Sequence, residues 1–537
     1  MAYKTENFEV VGKSLRRVDG PGLVCGKPMF TDDIEMRGLL HGKFLYSPHP
    51  HALIKKIDKS RALALPGVHA VICYEDVPRI AHTTAGQGYP EPSAYDTFIF
   101  DKKVRFVGDR VAAVAAESPE IAEEATKLID VEYEILPAVL DERKAMEDGT
   151  AVIHDEPEAT MIIPVPYDKE KNLAGGVSMN IGNVETGLKE ADFTFDHEYI
   201  IPYYQHCPQE PHICYAWLDE QDRIIIRTST QVPFHVRRLV ARALDIPVGR
   251  IHVIKPRIGG AFGVKQEVFL EQVAAALTLL TRRPVKIELT RPEEFISSRT
   301  MHPQIIQLKT GVKKNGDITA IDLNILMNTG AYGSHALTVI YNSGGKTLPL
   351  YHCPNIKFEG NSVYTNLPVG GAYRGYGATE AYFAIETQMD EMAEAIGMDP
   401  VEFRKRNHIK EGETSPVFAA LGEGKTGVEQ VIESCGLDRC LDLGAKEIGW
   451  SRINDLPRSG IKRRGMGMAV MMQGSSIPYI DMGAAYLKLN EDGSFNLLIG
   501  ATDLGTGSDT VLAQIAAEVL GVPLTNIIVK SSDTDLT

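Results

Sequence analysis

Three glycines and one large aromatic side chain lie close together in the stretch RIGGAFGVKQE at 257–267. Glycine has no side chain that would keep a ligand away from the backbone, and it tolerates the positive φ angles of a tight turn. The free N–H groups at the start of a following helix attract anions. The stretch therefore predicts a loop that binds a ligand. The competing interpretation is an ordinary tight turn between a strand and a helix.

Two further glycine-rich stretches carry side chains that could take part in binding. The stretch GGAYRGYG at 370–377 contains one arginine, and DLGTG at 503–507 contains a threonine between two glycines. A guanidinium offers a fixed positive charge with five N–H donors, and a threonine hydroxyl can donate to a phosphate. The residue types in these loops therefore point to the binding of an anionic group.

Apolar periodicity predicts the elements around these loops. Residues 251–254 have the composition of a buried strand that leads into the first loop. The helix after the second loop is predicted to end at Gly397. Its apolar side chains step by three and four positions, and they are Tyr382, Ile385, Met389, Met392 and Ile396.

An internal repeat relates the region before the first loop to the C-terminal part of the chain. Ala241, Leu244, Ile246, Pro247, Ile251 and Val253 recur as Ala517, Leu520, Val522, Pro523, Ile527 and Val529, at a constant offset of 276 residues. The same offset matches 224–231 with 500–507. The repeat predicts two related domains. Carried forward, it puts the counterpart of the first loop near Asp535, so we expect the second domain to be incomplete in this chain.

Composition limits the class of protein. A length of 537 residues predicts about three or four domains, and a net charge of −15 without a basic run excludes nucleic-acid and acidic-membrane partners. The sequence shows neither a signal peptide nor a membrane-spanning stretch. Its seven cysteines are scattered without a C-x-x-C pair, which is typical of reduced thiols in a cytoplasmic protein. Any iron–sulfur cluster would therefore lie on another chain.

The motifs of this chain resemble those of the molybdenum-cofactor subunit of the xanthine oxidase (molybdenum hydroxylase) family. In chain order they are VGK with RVD (11–19), FTDDI (30–34), SPH (47–49), FVGDRV (106–111), the loop at 257–267, AYRGYG (372–377) and DLGTG (503–507). The resemblance implies a mixed α/β fold with a hammerhead-like α/β domain at 11–145 and a linker at 146–182. A first molybdopterin-binding domain would follow at 183–410, and the start of a second at 411–537.

The resemblance also implies a cofactor and a reaction. The cofactor is molybdopterin in its cytosine dinucleotide form, which holds molybdenum through the pterin dithiolene, so no His or Cys ligand set is expected. The residues expected to contact it are Gln231, Gly260, Phe262, Gly263, Arg374, Gly505, Thr506 and Gly507. Gln231, Phe262 and Arg374 would line the molybdenum, and Gln266 and Tyr376 the substrate pocket. The implied reaction hydroxylates a C–H carbon of a purine- or nicotinate-like heterocycle, or an aldehyde, with oxygen from water. Electrons would pass to [2Fe–2S] and FAD on partner subunits.

Three positions depart from the family pattern. Gln266 stands where purine-oxidising members carry a glutamate, and Thr506 replaces a common glutamine. The general-base glutamate belongs to a C-terminal Gly-x-Gly-Glu motif that this chain does not reach, and neither Glu267 nor Glu380 matches a catalytic position. We therefore expect a separate chain to supply that glutamate and to complete the second domain.

The sequence leaves two alternative functions to compare with this one. A truncated chain could bind cofactor or partners without turnover. A nicotinamide dinucleotide enzyme is disfavoured, because the stretch GTGSDT at 505–510 lacks the third glycine and no acidic residue closes a following strand at the usual distance.

Overall fold

The computed structural model describes residues 8–27, 30–86, 88–455, 460–462, 464–474 and 483–537. Its strands, in chain order, are β1 (Leu40–Tyr46), β2 (Ala52–Asp58), β3 (Val68–Cys73), β4 (Ala94–Tyr95), β5 (Lys103–Val104), β6 (Arg110–Ala116), β7 (Asp130–Ile135), β8 (Thr160–Met161), β9 (Leu173–Ile181), β10 (Phe193–Ile201), β11 (Ile213–Leu218), β12 (Ile224–Thr228), β13 (Ile251–Ile254), β14 (Val285–Glu288), β15 (Gln304–Val312), β16 (Ile318–Gly330), β17 (Ile356–Tyr364), β18 (Ala485–Leu489), β19 (Phe495–Ile499) and β20 (Ile527–Ser531).

The α-helices are distributed along the described parts of the chain. In chain order they are α1 (Gly20–Val24), α2 (Ser60–Leu63), α3 (Pro119–Lys127), α4 (Val184–Glu190), α5 (Pro233–Leu244), α6 (Glu271–Thr281), α7 (Arg291–Ser297), α8 (Ala336–Gly345), α9 (Ala378–Ala395), α10 (Pro400–Asn407), α11 (Pro416–Ala420), α12 (Leu437–Ile448) and α13 (Ser508–Leu520). None of the helices described is long and apolar enough to span a membrane.

A seven-stranded mixed sheet, in the order β13-β12-β11-β14-β1-β6-β3, joins two of the predicted domains. Strand β1 pairs in parallel with β14 and antiparallel with β6, so strands from 11–145 and from 183–410 share one sheet. Helices α5 and α6 pack together, α6 lies on β11, and their apolar side chains form one buried cluster with the sheet. The division into domains stays a prediction, because this core crosses the predicted boundary.

A second sheet, in the order β10-β15-β16-β17-β9, is packed against α8 and α9. Strand β9 lies inside the range predicted as a linker, 146–182, and pairs antiparallel with β17, so that part of the range belongs to the sheet. In the structure β9 passes under α8, and a methyl group at Gly175 would lie 3.6 Å from Leu337. That distance is an ordinary contact, so α8 leaves room for a methyl group at Gly175.

The internal repeat is visible as two similar units, β11–β12–α5–β13 and β18–β19–α13–β20. In both, the second strand pairs antiparallel with the first and in parallel with the last. The offset of 276 holds for the helix and the last strand, but the predicted match of 224–231 with 500–507 is wrong. The strand equivalent to β12 is β19, at 495–499. The loop before the helix has lengthened, from 229–232 in the first unit to 500–507 in the second.

The two units contact each other where β13 and β20 end. The N–H of Lys255 donates to the carbonyl oxygen of Ser532 at 3.1 Å, and the N–H of Thr534 donates to that of Val253 at 3.0 Å. His252 Nε2 lies 2.7 Å from a carboxylate oxygen of Asp533. The first glycine loop therefore starts directly beside the second unit.

Candidate functional site

Hydrogen bonds hold the 257–267 loop against Gln231, which lies between β12 and α5. The side-chain Oε1 of Gln231 accepts from the backbone N–H of Gly263 at 2.9 Å. The backbone N–H of Gln231 donates to the carbonyl oxygen of Lys265 at 2.8 Å. The amide oxygen is therefore engaged by the protein.

The 372–377 loop lies against the same glycine loop. The backbone N–H of Arg374 donates to the carbonyl oxygen of Phe262 at 2.9 Å. The hydroxyl of Tyr376 donates to Oε1 of Gln266. The residues predicted to line the molybdenum and the substrate pocket are thus brought together from three distant segments of the chain.

Backbone conformation explains why glycine is needed in the first loop. Residues 260, 262 and 263 have φ angles of 96°, 57° and 110°. A methyl group at Gly263 would lie 2.4 Å from the carbonyl oxygen of Ala372, far inside the contact distance of carbon and oxygen. Phe262 adopts a conformation that is strained for a residue with a side chain, and 47% of its surface is exposed. Its ring is therefore not part of the core.

Arg374 is exposed, and within the part of the chain that the structure describes its guanidinium forms no ion pair. An arginine without a carboxylate partner keeps its charge and donors for another anion. This arrangement fits the prediction that Arg374 faces an anionic cofactor or substrate.

The third loop, 505–507, is held in a different way. The N–H groups of Gly505 and Gly507 donate to Oδ1 of the buried Asp503, at 2.8 and 3.3 Å. Arg257 Nη2 lies 3.3 Å from Asp509 Oδ2, and Lys255 donates to the carbonyl oxygen of Asp503. Among the hydrogen bonds and ion pairs of the described residues, none joins this loop to Gln231, Phe262 or Arg374. Its connection to the first glycine loop runs through Lys255 and Arg257, and burial lowers the pKa of Lys255 to about 8.

Glu267, which matches no catalytic position of the family, is a buried carboxylate behind the site. Glu267 is 2% exposed and accepts hydrogen bonds from Thr84 Oγ1, at 2.5 Å, and from the Ser334 hydroxyl. Arg299 Nε lies 3.3 Å and His335 Nε2 3.5 Å from its oxygens. Burial alone favours the neutral acid, but Arg299 and His335 lower the pKa of Glu267. The hydrogen bonds and ion pairs of Glu267 thus connect four segments of the chain behind the pocket.

Glu380, the other glutamate near the site loops, is also buried. Its Oε2 accepts from Thr379 Oγ1 at 2.6 Å, and burial raises its pKa. The absence of a catalytic role for Glu380 stays a prediction.

A buried ion pair supports the first glycine loop from below. Lys265 is fully buried, and its Nζ lies 2.8 Å from Oε2 of Glu210. The same oxygen accepts from the N–H of Gly259 at 2.9 Å. Nearby, His206 Nε2 contacts the carbonyl oxygen of Ala372 at 2.8 Å, and burial lowers the pKa of His206 to about 4. The run QHCPQEPH at 205–212 was the one sequence signal for this support, because it concentrates histidines and a glutamate within eight residues.

These observations test whether the residues fit molybdopterin. Arg374 is available to an anion, and the first loop exposes a glycine backbone with positive φ angles. At the N-terminus of α13 the hydroxyl of Ser508 is buried without a hydrogen-bond partner in the described parts of the chain. A helix N-terminus with an unsatisfied hydroxyl suits a phosphate. The residues therefore fit an anionic cofactor.

Comparison with known proteins identifies the family. Models of molybdopterin cofactor-binding domains match residues 166–408 and 444–537, and the aldehyde oxidase and xanthine dehydrogenase a/b hammerhead domain matches 25–137. The xanthine dehydrogenase molybdenum-binding subunit of Escherichia coli O157:H7 is 37% identical over 531 residues, covering 97% of this chain and 67% of the relative. The chain belongs to the xanthine dehydrogenase and aldehyde oxidase family.

Two further relatives of this xanthine dehydrogenase family member are informative. The probable hypoxanthine oxidase XdhD of Escherichia coli O157:H7 is 42% identical over 555 residues, and the chain spans 58% of its length. The crystal structure of quinoline 2-oxidoreductase from Pseudomonas putida 86 has a TM-score of 0.82 at 25% identity, covering 98% of this chain and 67% of that one. The predicted fold class, a hammerhead-like α/β domain followed by molybdopterin-binding domains, is confirmed. The roles of individual site residues stay predictions.

Proposed function

We propose that this family member is the molybdopterin-binding subunit of an enzyme that hydroxylates a C–H carbon of a nitrogen heterocycle with oxygen from water. The observation that carries the proposal is the assembly of Gln231, Phe262 and Arg374 around one strained glycine loop. Relatives named for hypoxanthine, xanthine and quinoline support a heterocycle as the substrate class. An aldehyde is the alternative substrate.

The cofactor, when bound, supplies the transferred oxygen and accepts two electrons from the substrate. The residues of this chain bind and orient. Because Oε1 of Gln231 accepts from Gly263, its amide N–H₂ would be left to donate to the cofactor when that is bound. The exposed ring of Phe262 would exclude water beside it, and Arg374 would compensate negative charge on the cofactor or the reacting ring.

Substrate recognition would fall to Gln266 and Tyr376. The Tyr376 hydroxyl faces Oε1 of Gln266, which turns the amide N–H₂ away from it. An amide donor suits a carbonyl oxygen or an unprotonated ring nitrogen. A purine-like or nicotinate-like ring offers such acceptors beside the carbon that is hydroxylated, whereas a simple aldehyde offers one oxygen only.

The complete enzyme would need partners. We propose the cytosine dinucleotide form of molybdopterin as the cofactor of this chain. We also propose that [2Fe–2S] and FAD lie on partner subunits; for the cluster the reason is that the seven cysteines are free and scattered along the chain. Free thiols also favour a cytoplasmic location. We assign the general base to neither Glu267 nor Glu380, since both carboxyl groups are buried and hydrogen-bonded.

Metal and product analysis of the native complex test this proposal. We expect molybdenum and a pterin dinucleotide in the purified complex, and turnover of hypoxanthine or nicotinate with an artificial electron acceptor. In ¹⁸O-labelled water the product should gain one labelled oxygen. Absence of both molybdenum and pterin would refute the proposal. Bound cofactor without turnover of hypoxanthine, nicotinate or benzaldehyde would instead favour a non-catalytic binding chain.

A further inference from the structure

Part of the N-terminal region reaches the candidate site and pairs with its first glycine loop. We call residues 84–86 and 88–93 the arm. The N–H of Gly86 donates to the carbonyl oxygen of Gln266 at 2.9 Å, and the N–H of Val268 donates to that of Thr84 at 2.9 Å. A methyl group at Gly86 would lie 2.5 Å from Cγ2 of Val232, the neighbour of Gln231. The arm therefore lies between two residues predicted to face the molybdenum and the substrate.

An ion pair fastens the arm to helix α5. Oε1 of Glu91 accepts from Nε and Nη2 of Arg238 at 2.9 and 2.7 Å, and Oε2 accepts from the hydroxyl of Tyr95 at 2.6 Å. The side chain of Glu91 is 2% exposed and that of Arg238 is 31% exposed. A buried carboxylate that loses its cation is left uncompensated, so this pair resists separation. The guanidinium also lies 5.4 Å from the ring centre of Tyr89, whose surface is 77% exposed.

Arg238 also contacts a histidine on its own helix. Its Nη2 lies 2.8 Å from Nδ1 of His235, in the first turn of α5 and four residues after Gln231. Arginine has no acceptor, so His235 must accept through a neutral imidazole. Burial, together with the charge of Arg238, lowers the pKa of His235 to about 3, which keeps the ring neutral. Glu91, Arg238 and His235 thus form a continuous row beside Gln231.

We propose that the Arg238–Glu91 pair is a latch that holds the arm against α5 and so fixes one wall of the substrate pocket. Arg238 and Glu91 are positioning residues, because they act through the arm. This inference rests on the proposed function, since it assigns the pocket to that substrate class.

Helix α5 offers a matched control one turn further on. Arg242 also contacts the N-terminal region, with its Nε donating to the carbonyl oxygen of Ala81 at 3.0 Å and its guanidinium 4.4 Å from the ring centre of Tyr95. Among the residues that the structure describes, Arg242 makes no hydrogen bond or ion pair with Glu91 or His235. Both arginines therefore attach α5 to the same region, but Arg238 alone of the two attaches it to the arm.

Hydrogen–deuterium exchange and steady-state kinetics on the native complex test the latch. The variants are Arg238→Ala, Arg238→Lys and the control Arg242→Ala. In Arg238→Ala we expect peptides within 88–93 to exchange about tenfold faster or more, the factor that follows from losing a charged hydrogen-bonded pair. For hypoxanthine or nicotinate we expect KM to rise about threefold to tenfold with kcat within about twofold, because binding to the wall is lost while the reacting geometry is kept. Arg238→Lys should lie between wild type and Arg238→Ala.

Three results would overturn the latch. Unchanged exchange of the arm in Arg238→Ala would show that the ion pair does not hold it. Faster exchange with unchanged KM would show that the arm is not a pocket wall. Equal changes in Arg242→Ala would assign the effect to general stability. A wild-type complex without molybdenum or turnover would refute the proposed function instead, and the exchange measurement would still decide whether the latch exists.

Discussion

The most direct check of the site geometry is the substitution Gly263→Ala. A positive φ angle costs a residue with a side chain about 1–2 kcal/mol, and φ is 110° at this position. The added methyl group would lie 2.4 Å from the carbonyl oxygen of Ala372, a backbone atom that cannot rotate away. Forcing an extra carbon into packed surroundings costs about 1–3 kcal/mol. The two effects together predict a destabilisation of about 2–5 kcal/mol.

Gly260→Ala is the matched control, because it separates backbone strain from overlap. Its φ angle is 96°, but the nearest atom to an added methyl group belongs to the exposed Phe262 ring, at 3.2 Å. That ring can move, so we expect the strain of about 1–2 kcal/mol alone. Both residues lie in the same loop, hence any general sensitivity of the loop affects them alike.

Differential scanning calorimetry and molybdenum analysis of the complex measure the outcome. For a single domain, a loss of 1 kcal/mol in the free energy of unfolding lowers the unfolding midpoint by about 2–4 °C. Gly263→Ala should therefore lower the midpoint of the domain that contains it by about 5–15 °C, and Gly260→Ala by less than half of that. Molybdenum content should also fall in Gly263→Ala, because the shifted loop loses the hydrogen bond to Gln231. Equal midpoints for the two variants would refute the assumed contact with Ala372.

Three further predictions concern charged side chains. Arg374→Ala should lose cofactor or activity, and normal molybdenum content with normal turnover would contradict its assignment. Glu267→Gln leaves Arg299 buried without its counter-charge, so we expect a loss of about 3–5 kcal/mol by thermal unfolding, and an unchanged midpoint would contradict the fastening role. His252 has its pKa raised by the hydrogen bond to Asp533, so its stabilising effect is complete below the unfolded pKa of 6.5 and is lost as pH rises through the folded value. His252→Ala should therefore destabilise the contact between the repeat units more at about pH 5.5 than at about pH 8.5, and the reverse order in exchange measurements would count against it.

The sequence was most informative where local pattern decides structure. The strand predicted at 251–254 is β13, and the apolar steps from Tyr382 predict α9, which is followed by Gly397 with a φ angle of 67°. The glycine loops were recognisable because positive φ angles and close backbone contacts restrict residue choice, as at Gly263. Those features are properties of a few neighbouring residues, and a single sequence displays them.

Long-range contacts left no such trace. Hydrogen bonds join Thr84 to Glu267 and Glu210 to Gly259, although no periodicity in the sequence connects the segments involved. These partners are brought together by the packing of whole sheets. The repeat alignment failed at β19 for a related reason, because a longer loop shifts a strand without changing its apolar pattern.

The two repeat units differ in how much of their apolar helix surface is buried by other elements, and this difference affects behaviour in solution. In the first unit Leu239 and Ala243 are 2% and 1% exposed, in a cluster that includes α6, whereas Ile515 and Val519, their equivalents on α13, are 46% and 74% exposed. Strand β11 pairs with β14 on its outer side, but among the described strands β18 pairs with β19 alone. An unpaired strand edge and an exposed apolar helix face are each templates for association. We therefore expect this chain, when produced alone, to self-associate through β18 and α13, and Leu487→Lys together with Val519→Lys to restore a monodisperse monomer in light scattering.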